Sequence, residues 1–202
     1  MINLEKKLFD YLIADEKNEN SENDFGKNII PAMLANKERM FAYPFAGYWK
    51  DVGTISSLWE ANMDLLGNDP ALVLNDESWR IYSRHELYSP QYVGEDAVIE
   101  NSSITEGCDI LGTVKNSVLG SGVKIGRGAV VCDSVIFDDV VIGEGAQVNY
   151  TIIDSNVKIG KNASVGVDKS AATGVTVLGS GVCVDDGACI GDNEMVSDVK
   201  ED

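Results

Sequence analysis

The sequence predicts an α/β fragment over residues 1–67, a connector at 68–92, an all-β left-handed parallel β-helix of hexapeptide repeats over 93–191, and an acidic tail at 192–202. Three observations carry this reading. From Val93 onward the chain copies itself, and an aliphatic residue followed by glycine returns in one phase. Before that, two stretches place apolar residues at helical spacing, with short β-prone runs between them. Finally, no strand precedes the first helix, so the strands of this part are too few to close a sheet. A core that thin should leave apolar surface exposed and implies a domain that continues upstream of Met1.

In chain order, Leu4, Leu8, Phe9, Leu12 and Ile13 fit a short amphipathic helix over residues 4–13, and Asp15 to Asn23 reads as a solvated loop. Asp24-Phe25-Gly26-Lys27-Asn28-Ile29-Ile30-Pro31 is a compact acid–aromatic–glycine turn leading into a helix that reaches Asn36, with Asp24 placed to act as N-cap or turn residue. Met40 to Phe45 is a predicted strand, bent or at an edge because of Pro44. Tyr48 to Val52 is a second, aromatic and β-branched. Gly53-Thr54 opens the next helix with Thr54 as N-cap; Ile55, Leu58, Trp59, Met63 and Leu66 make its apolar face, and Gly67-Asn68-Asp69-Pro70 ends it. The connector carries Pro70, Pro90, Trp79, Tyr82, Tyr88, Tyr92 and His85, the last read as a surface or hydrogen-bonded residue.

The repeat is more specific. Asn116-Ser117-Val118-Leu119 returns as Asp133-Ser134-Val135-Ile136 and as Tyr150-Thr151-Ile152-Ile153, each 17 residues on, with an earlier copy at Asn101-Ser102-Ser103-Ile104. Leu119-Gly120, Ile125-Gly126, Ile142-Gly143, Ile159-Gly160, Leu178-Gly179 and Ile190-Gly191 mark the six-residue unit. Four residues after each aliphatic stands a small or β-branched partner, such as Val123, Ala129, Ala146, Ala163, Val182 and Ala188. Ala188 keeps the same phase after Val184. Three units per turn make a triangular prism in which both the aliphatic and its partner point inward, with glycine or a short polar residue at the corner where positive φ is cheapest. Five to six turns stacked at strand spacing give a rod of roughly 25 Å. Between Val165 and Val177 the phase is lost, which predicts a looped-out excursion.

A net charge of −17 argues against nucleic acid or an anionic membrane as partner. No apolar run approaches the roughly 20 residues of a membrane span and no signal-peptide pattern follows Met1, so a cytoplasmic location is expected. Cys108, Cys132, Cys183 and Cys189 form no C-x-x-C pair, and we read them as small, buried, reduced hydrophobes. The prism contains no histidine, the general base that prism-based acyl transfer would need.

Gly47 to Thr54 holds the residues with chemical promise. Asp51 falls at the end of the predicted strand beside a helix N-terminus, whose free N–H groups attract phosphate oxygens. A carboxylate there has two readings. It bridges to bound phosphate through a divalent cation, or it is a second helix-capping acid.

Asp24-Phe25-Gly26-Lys27-x-Ile29-Ile30-Pro31, Tyr48-Trp49-Lys50-Asp51-Val52-Gly53-Thr54 and Leu58-Trp59-Glu60-Ala61-Asn62-Met63-Asp64-Leu65-Leu66, followed by a hexapeptide prism, resemble bacterial glucose-1-phosphate adenylyltransferase (ADP-glucose pyrophosphorylase). The resemblance covers essentially the whole chain and is strongest over residues 24–66. It implies that residues 1–67 are the C-terminal part of a Rossmann-like nucleotidyltransferase domain. The intact Trp49 to Thr54 signature is that of the catalytic-type subunit. The resemblance further implies the first committed step of glycogen synthesis: ATP and glucose 1-phosphate give ADP-glucose and pyrophosphate, with Mg²⁺. Asp51 matches the family's acid near metal and sugar phosphate, Trp49 its wall on the sugar side, and Asp24 and Phe25 its residues near glucose 1-phosphate. The family's Gly-rich phosphate loop, its second metal-binding acid and its sugar-phosphate lysine have no counterpart in these residues, so the polypeptide is expected to be inactive by itself. A homo-oligomer, in this family a tetramer, or a hetero-oligomer with a regulatory paralogue is implied. The competing expectations are a relative forming UDP-N-acetylglucosamine, a non-catalytic regulatory subunit and an oligomerisation scaffold. The first lacks its coil histidine, the second conflicts with the intact signature, and the third leaves residues 1–67 without a purpose.

Overall fold

The computed structural model describes residues 2–74, 76–78, 80 and 87–197. The readings made for Trp79, Tyr82, His85 and the tail beyond residue 197 lie outside the described residues. The chain packs as two compact units, Met1–Gly47 and Tyr48–Asp202.

The first unit is helical. Helix α1 (Ile2–Glu16) runs past both ends of the expected 4–13 helix. Ser21 closes the following turn, its hydroxyl donating to Asp15 at 2.7 Å. A π-helical turn, Phe25–Ile29, then leads directly into α2 (Ile30–Ala35), which carries Pro31 in its first turn. Lys37, at φ 57°, reverses the chain after α2, and Glu38 accepts from Lys7 of α1 at 2.6 Å. Among the described residues of this unit Ile29 is the buried hydrophobic one, while Phe41 and Tyr43 are 85% and 87% exposed. The expected thin core and exposed apolar surface are what the unit shows.

One expectation fails here. Neither Met40–Phe45 nor Tyr48–Val52 forms a strand. A strand exists only when a neighbour completes its ladder, and the first unit has no described strand to offer one. The strands of the second unit all pair with one another.

The second unit begins with Tyr48 and is dominated by a parallel β-solenoid, the hexapeptide-repeat helix expected from the sequence. Its three faces are six-stranded parallel sheets. The first runs from Tyr92–Val93 to Cys183–Val184, the second from Val98–Glu100 to Cys189–Ile190, and the third from Ser103–Ile104 to Met195–Val196. Register follows the sequence copies: Ile136 pairs with Ile153, and Ile125 with Ile142. Leu119, Ile125, Ile136, Ile142 and Ile153 fill the interior with Val123, Ala129, Ala146, Ala163 and Val182, as the four-residue offset predicts. The excursion also forms. Ile153 pairs with Leu178, 25 residues on, where the central turns step by 17, and the extra length is spent between Val165 and Thr176.

Two sequence readings of the solenoid need correction. Gly120, Gly126, Gly143, Gly160, Gly179 and Gly191, the glycines of the six aliphatic–glycine steps, are not at positive φ, which falls instead to Gly122, Gly128, Gly145 and to short polar residues such as Asn116 and Asp133. Gly126 and Gly143 are needed because the next turn lies against them. A Cβ at Gly143 would stand 2.7 Å from the carbonyl carbon of Gly160, and one at Gly126 would stand 2.7 Å from the Glu144 nitrogen. Nor are the four cysteines all buried. Cys108 is, with its thiol pKa raised mainly by that burial, but Cys132 is half-buried and Cys183 and Cys189 are exposed. Cys183 and Cys189 each precede an inward aliphatic, Val184 and Ile190, so side-chain alternation turns them outward. All four are free thiols.

The repeated Ser or Thr beside each corner has a role the pattern alone did not reveal. Ser117, Ser134 and Thr151 are fully buried. Each hydroxyl donates to the carbonyl two residues back: Ser117 to Lys115 at 2.7 Å, Ser134 to Cys132 at 2.7 Å, and Thr151 to Asn149 at 2.9 Å. Each serine oxygen also accepts the backbone N–H of the next copy, at 3.1 Å from Ser134 to Ser117 and 3.2 Å from Thr151 to Ser134. The hydroxyls thus continue the ladder through a corner where the carbonyls point elsewhere. Ser134→Ala is expected to orphan the buried Thr151 N–H and to cost about 1–3 kcal/mol, read from urea unfolding. A loss indistinguishable from zero would show that the corner relaxes to find another acceptor.

Helix α3 (Ile55–Met63) packs on the third sheet of this solenoid. Trp59, 6% exposed, sits with Val135, Ile152 and Val175, and Ile55, Leu58, Met63, Phe137 and Tyr150 surround them. Its indole N–H donates to the Asp133 carbonyl at 2.7 Å, and its ring meets Tyr150 edge-on at a centroid distance of 5.0 Å.

Candidate functional site

The segment Tyr48 to Thr54 is fixed by its alternate residues. The Tyr48 hydroxyl donates to Asp64 at 3.0 Å, and the Lys50 ammonium reaches both Asp64 and Glu60 at 3.1 Å. Glu60 and Asp64 stand four residues apart, so they share one face of α3 and its end. Glu60 and then Asp64 hold the Lys50 pKa above its ordinary value, which keeps it a cation. Burial, followed by the Asp64 hydrogen bond, raises that of the Tyr48 phenol. With Tyr48 and Lys50 tied to the helix, the residues between and after them are left to solvent: Trp49 is 75% exposed, and Asp51 and Val52 are exposed as well.

Asp51 has a defined local role. Its Oδ1 accepts the Gly53 N–H at 2.9 Å, an Asx turn that aims the chain into α3. Thr54 is the N-cap, as the sequence indicates. Its Oγ1 accepts the Ser57 N–H at 3.2 Å, while Ser57 Oγ accepts the Thr54 N–H at 3.1 Å, a reciprocal capping box. Asp51 therefore serves the helix start with one oxygen, and its carboxylate remains at the surface beside Trp49.

In the first unit Asp24 caps the π-helical turn. Its Oδ1 accepts the Lys27 N–H at 2.7 Å, and its own N–H donates to Asn28 Oδ1 at 3.2 Å. Phe25 follows it and is half exposed. Lys27 pairs with Glu22. The predicted residues thus fall into two pairs, Asp24 with Phe25 in the first unit and Trp49 with Asp51 in the second.

Among the described residues no group of three or more His, Cys, Asp or Glu is placed to hold a metal ion. Mg²⁺ is commonly held by one or two carboxylates, with substrate phosphates and water completing its six positions. Asp51, an exposed single carboxylate, fits the part of one such ligand. Sequence reasoning missed Lys50, Glu60 and Asp64 as the ties that present it. The signal was available in a lone lysine followed by two acids at helical spacing.

Two known protein families match parts of the chain. A nucleotidyl transferase family matches residues 3–68, and a GlmU-like, C-terminal hexapeptide family matches residues 89–185. The glucose-1-phosphate adenylyltransferase of Clostridium botulinum (strain Alaska E43 / Type E3) is 57% identical over 129 residues, 64% of this chain and 33% of the relative. That of Desulforamulus reducens is 57% identical over 124 residues, 61% of this chain and 31% of the relative. That of Geobacillus stearothermophilus is 56% identical over 124 residues, 61% and 32%. The resemblance carried by the motifs is borne out, and the chain spans about a third of the length of the curated relatives it matches.

Proposed function

We propose that Tyr48 to Thr54 forms one wall of the sugar-phosphate site of a catalytic-type glucose-1-phosphate adenylyltransferase. The intact protein would convert ATP and glucose 1-phosphate to ADP-glucose and pyrophosphate in glycogen synthesis. The observation that supports this most is the division of labour in Tyr48 to Thr54. Tyr48 and Lys50 are spent on anchoring, which leaves Trp49 and Asp51 presented together on a rigid base. The similarity to enzymes of that name supports it independently.

In such a reaction an oxygen of the sugar phosphate attacks the α-phosphorus of ATP and pyrophosphate leaves, so the protein acts mainly by positioning and by neutralising charge. Trp49 offers a flat apolar wall for a sugar face, and Asp24 and Phe25 would lie on the glucose 1-phosphate side. Asp51 would hold Mg²⁺, which supplies charge neutralisation at the phosphates. The carboxylate is repelled by phosphate unless a cation stands between them, which is why the metal belongs to the reading.

A UDP-N-acetylglucosamine-forming relative is the reading that the GlmU-like match would suggest. Acyl transfer on the prism needs a base, however, and no histidine occurs from Val93 to Asp202. A regulatory subunit would have no use for the presented Trp49 and Asp51. The assembly we propose is a homo-oligomer, a tetramer, or a hetero-oligomer with a regulatory paralogue, in the cytoplasm. No helix among the described residues is long and apolar enough to cross a membrane.

The test uses two polypeptides. The 202 residues alone, with ATP, glucose 1-phosphate and Mg²⁺, should form no ADP-glucose above background, since they contain no Gly-rich phosphate loop. The same residues joined to a nucleotidyltransferase segment that supplies such a loop should form it. Turnover by the 202 residues alone would overturn the one-wall reading, and a joined protein that prefers UTP to ATP would overturn the choice of reaction.

A further inference from the structure

The excursion that interrupts the solenoid ends up on α3. Lys169 lies in it, and its ammonium stands 4.2 Å from the centre of the Trp59 ring and 5.9 Å from that of Tyr150. Both distances are within the reach of a cation–π contact, and the edge-on Trp59–Tyr150 pair presents two rings to one cation.

The excursion is built to hold that lysine still. On one side of it Asp168 accepts from the Ser170 N–H at 2.9 Å and the Ser170 hydroxyl at 2.5 Å. On the other, Asp192 of the following turn accepts from the Thr173 N–H at 2.8 Å and its hydroxyl at 2.5 Å. Ala171 N–H closes the turn onto the Asp168 carbonyl at 2.9 Å. An exposed lysine on a free loop would lose its rotamer entropy to make such a contact, whereas here the backbone on both sides is already fixed.

We propose that Lys169 is a positioning residue for Asp51. The path is continuous within the second unit. Lys169 closes over Trp59, and Trp59 anchors α3 to the solenoid through the Asp133 carbonyl. Glu60, the next residue of α3, and Asp64 just past its end hold Lys50, the neighbour of Asp51. Asp51 in turn sets the Gly53 turn that starts the same helix. The insertion in the repeat therefore acts as a clasp that turns the solenoid into the base of the Asp51 segment. The catalytic part of this inference rests on the function proposed above, while the clasp itself does not.

The experiment is Lys169→Gln, with Lys169→Arg as the conservative variant, in the joined polypeptide that forms ADP-glucose. Hydrogen exchange is followed at the amides of Asp51 to Leu58. Lys169→Gln should speed exchange there by about tenfold and Lys169→Arg should restore protection, as expected for a cation–π contact. Lys169→Gln should also lower kcat by about tenfold with the KM for ATP unchanged, and add no further loss in an Asp51→Asn background. Unchanged exchange at Asp51 to Leu58 overturns the clasp. Faster exchange with unaltered kcat, or with a loss that multiplies that of Asp51→Asn, overturns the link to Asp51. Faster exchange in a joined protein that makes no ADP-glucose even with Lys169 intact sustains the clasp and sinks the function.

Discussion

Trp59→Ala is expected to release α3 from the solenoid at a cost of about 3–5 kcal/mol, the range for truncating a buried aromatic side chain. Three losses combine. The indole leaves a void among Val135, Ile152 and Val175. The Asp133 carbonyl loses the indole N–H at 2.7 Å. The Tyr150 edge contact and the Lys169 cation both lose the ring they act on. Trp59→Phe separates these contributions, because it keeps most of the apolar area and removes only the indole donor, and it should cost about 1–3 kcal/mol. The solenoid interior does not involve Trp59, so the damage should be local. Urea unfolding followed at α3 should shift strongly, while amides of Val123 to Ile153 keep their protection. If Trp59→Ala left the exchange of α3 unchanged, the helix would be held by something other than this docking.

How far the chain could be read without coordinates follows from which interactions are local. The solenoid was legible because one interior accepts one kind of residue at a fixed period, so Leu119, Ile136 and Ile153 announce their own alignment. The excursion was legible for the same reason, as a break in that period. Thr54 was legible because capping acts over three or four residues, whereas the helix ends at Met63 with Asp64 as its C-cap, short of the stop expected at Gly67. The strands expected at Met40–Phe45 and Tyr48–Val52 failed because β propensity describes a residue's fit to a sheet and cannot supply the neighbour. Gly126 and Gly143 were seen but explained wrongly, since what excludes a side chain there is the next turn's backbone, which stands 17 residues on from Gly143. The docking of Trp59 was hidden altogether. Its partner Asp133 carbonyl is 74 residues away, and a tryptophan on an apolar helix face looks the same whichever surface it meets.

The candidate site shows the same division. Asp51 was picked out by its place before a helix, and that placement holds even though no strand precedes it. What the pattern could not show is that its neighbours divide into anchors and presented groups, because that depends on Lys50 reaching across to Glu60 and Asp64. Any substitution at Lys50 therefore disturbs Asp51 through the backbone, and the charge of Asp51 has to be tested without touching its anchors.

Asp51→Asn does this. The asparagine side-chain oxygen can still accept the Gly53 N–H, so the turn into α3 survives and the capping box of Thr54 and Ser57 is untouched. What disappears is the negative charge. If Asp51 helps hold Mg²⁺ at the phosphates, turnover in the ADP-glucose-forming polypeptide should fall at least about 100-fold, the scale of losing one preorganised transition-state charge contact. The Mg²⁺ concentration for half-maximal rate should rise as well. A fall in kcat with protection at Gly53 to Leu58 unchanged would place the effect in the chemistry. Asp51→Ala, which removes the turn acceptor too, should lose that protection in addition, and the difference between the two variants measures how much of Asp51 is spent on the helix. A near-wild-type rate for Asp51→Asn with unchanged Mg²⁺ dependence would remove the carboxylate from the mechanism and leave it the second capping acid of α3. In that case the residue presented by the Lys50 anchor would be Trp49 alone, and the segment would recognise a sugar face without touching the metal.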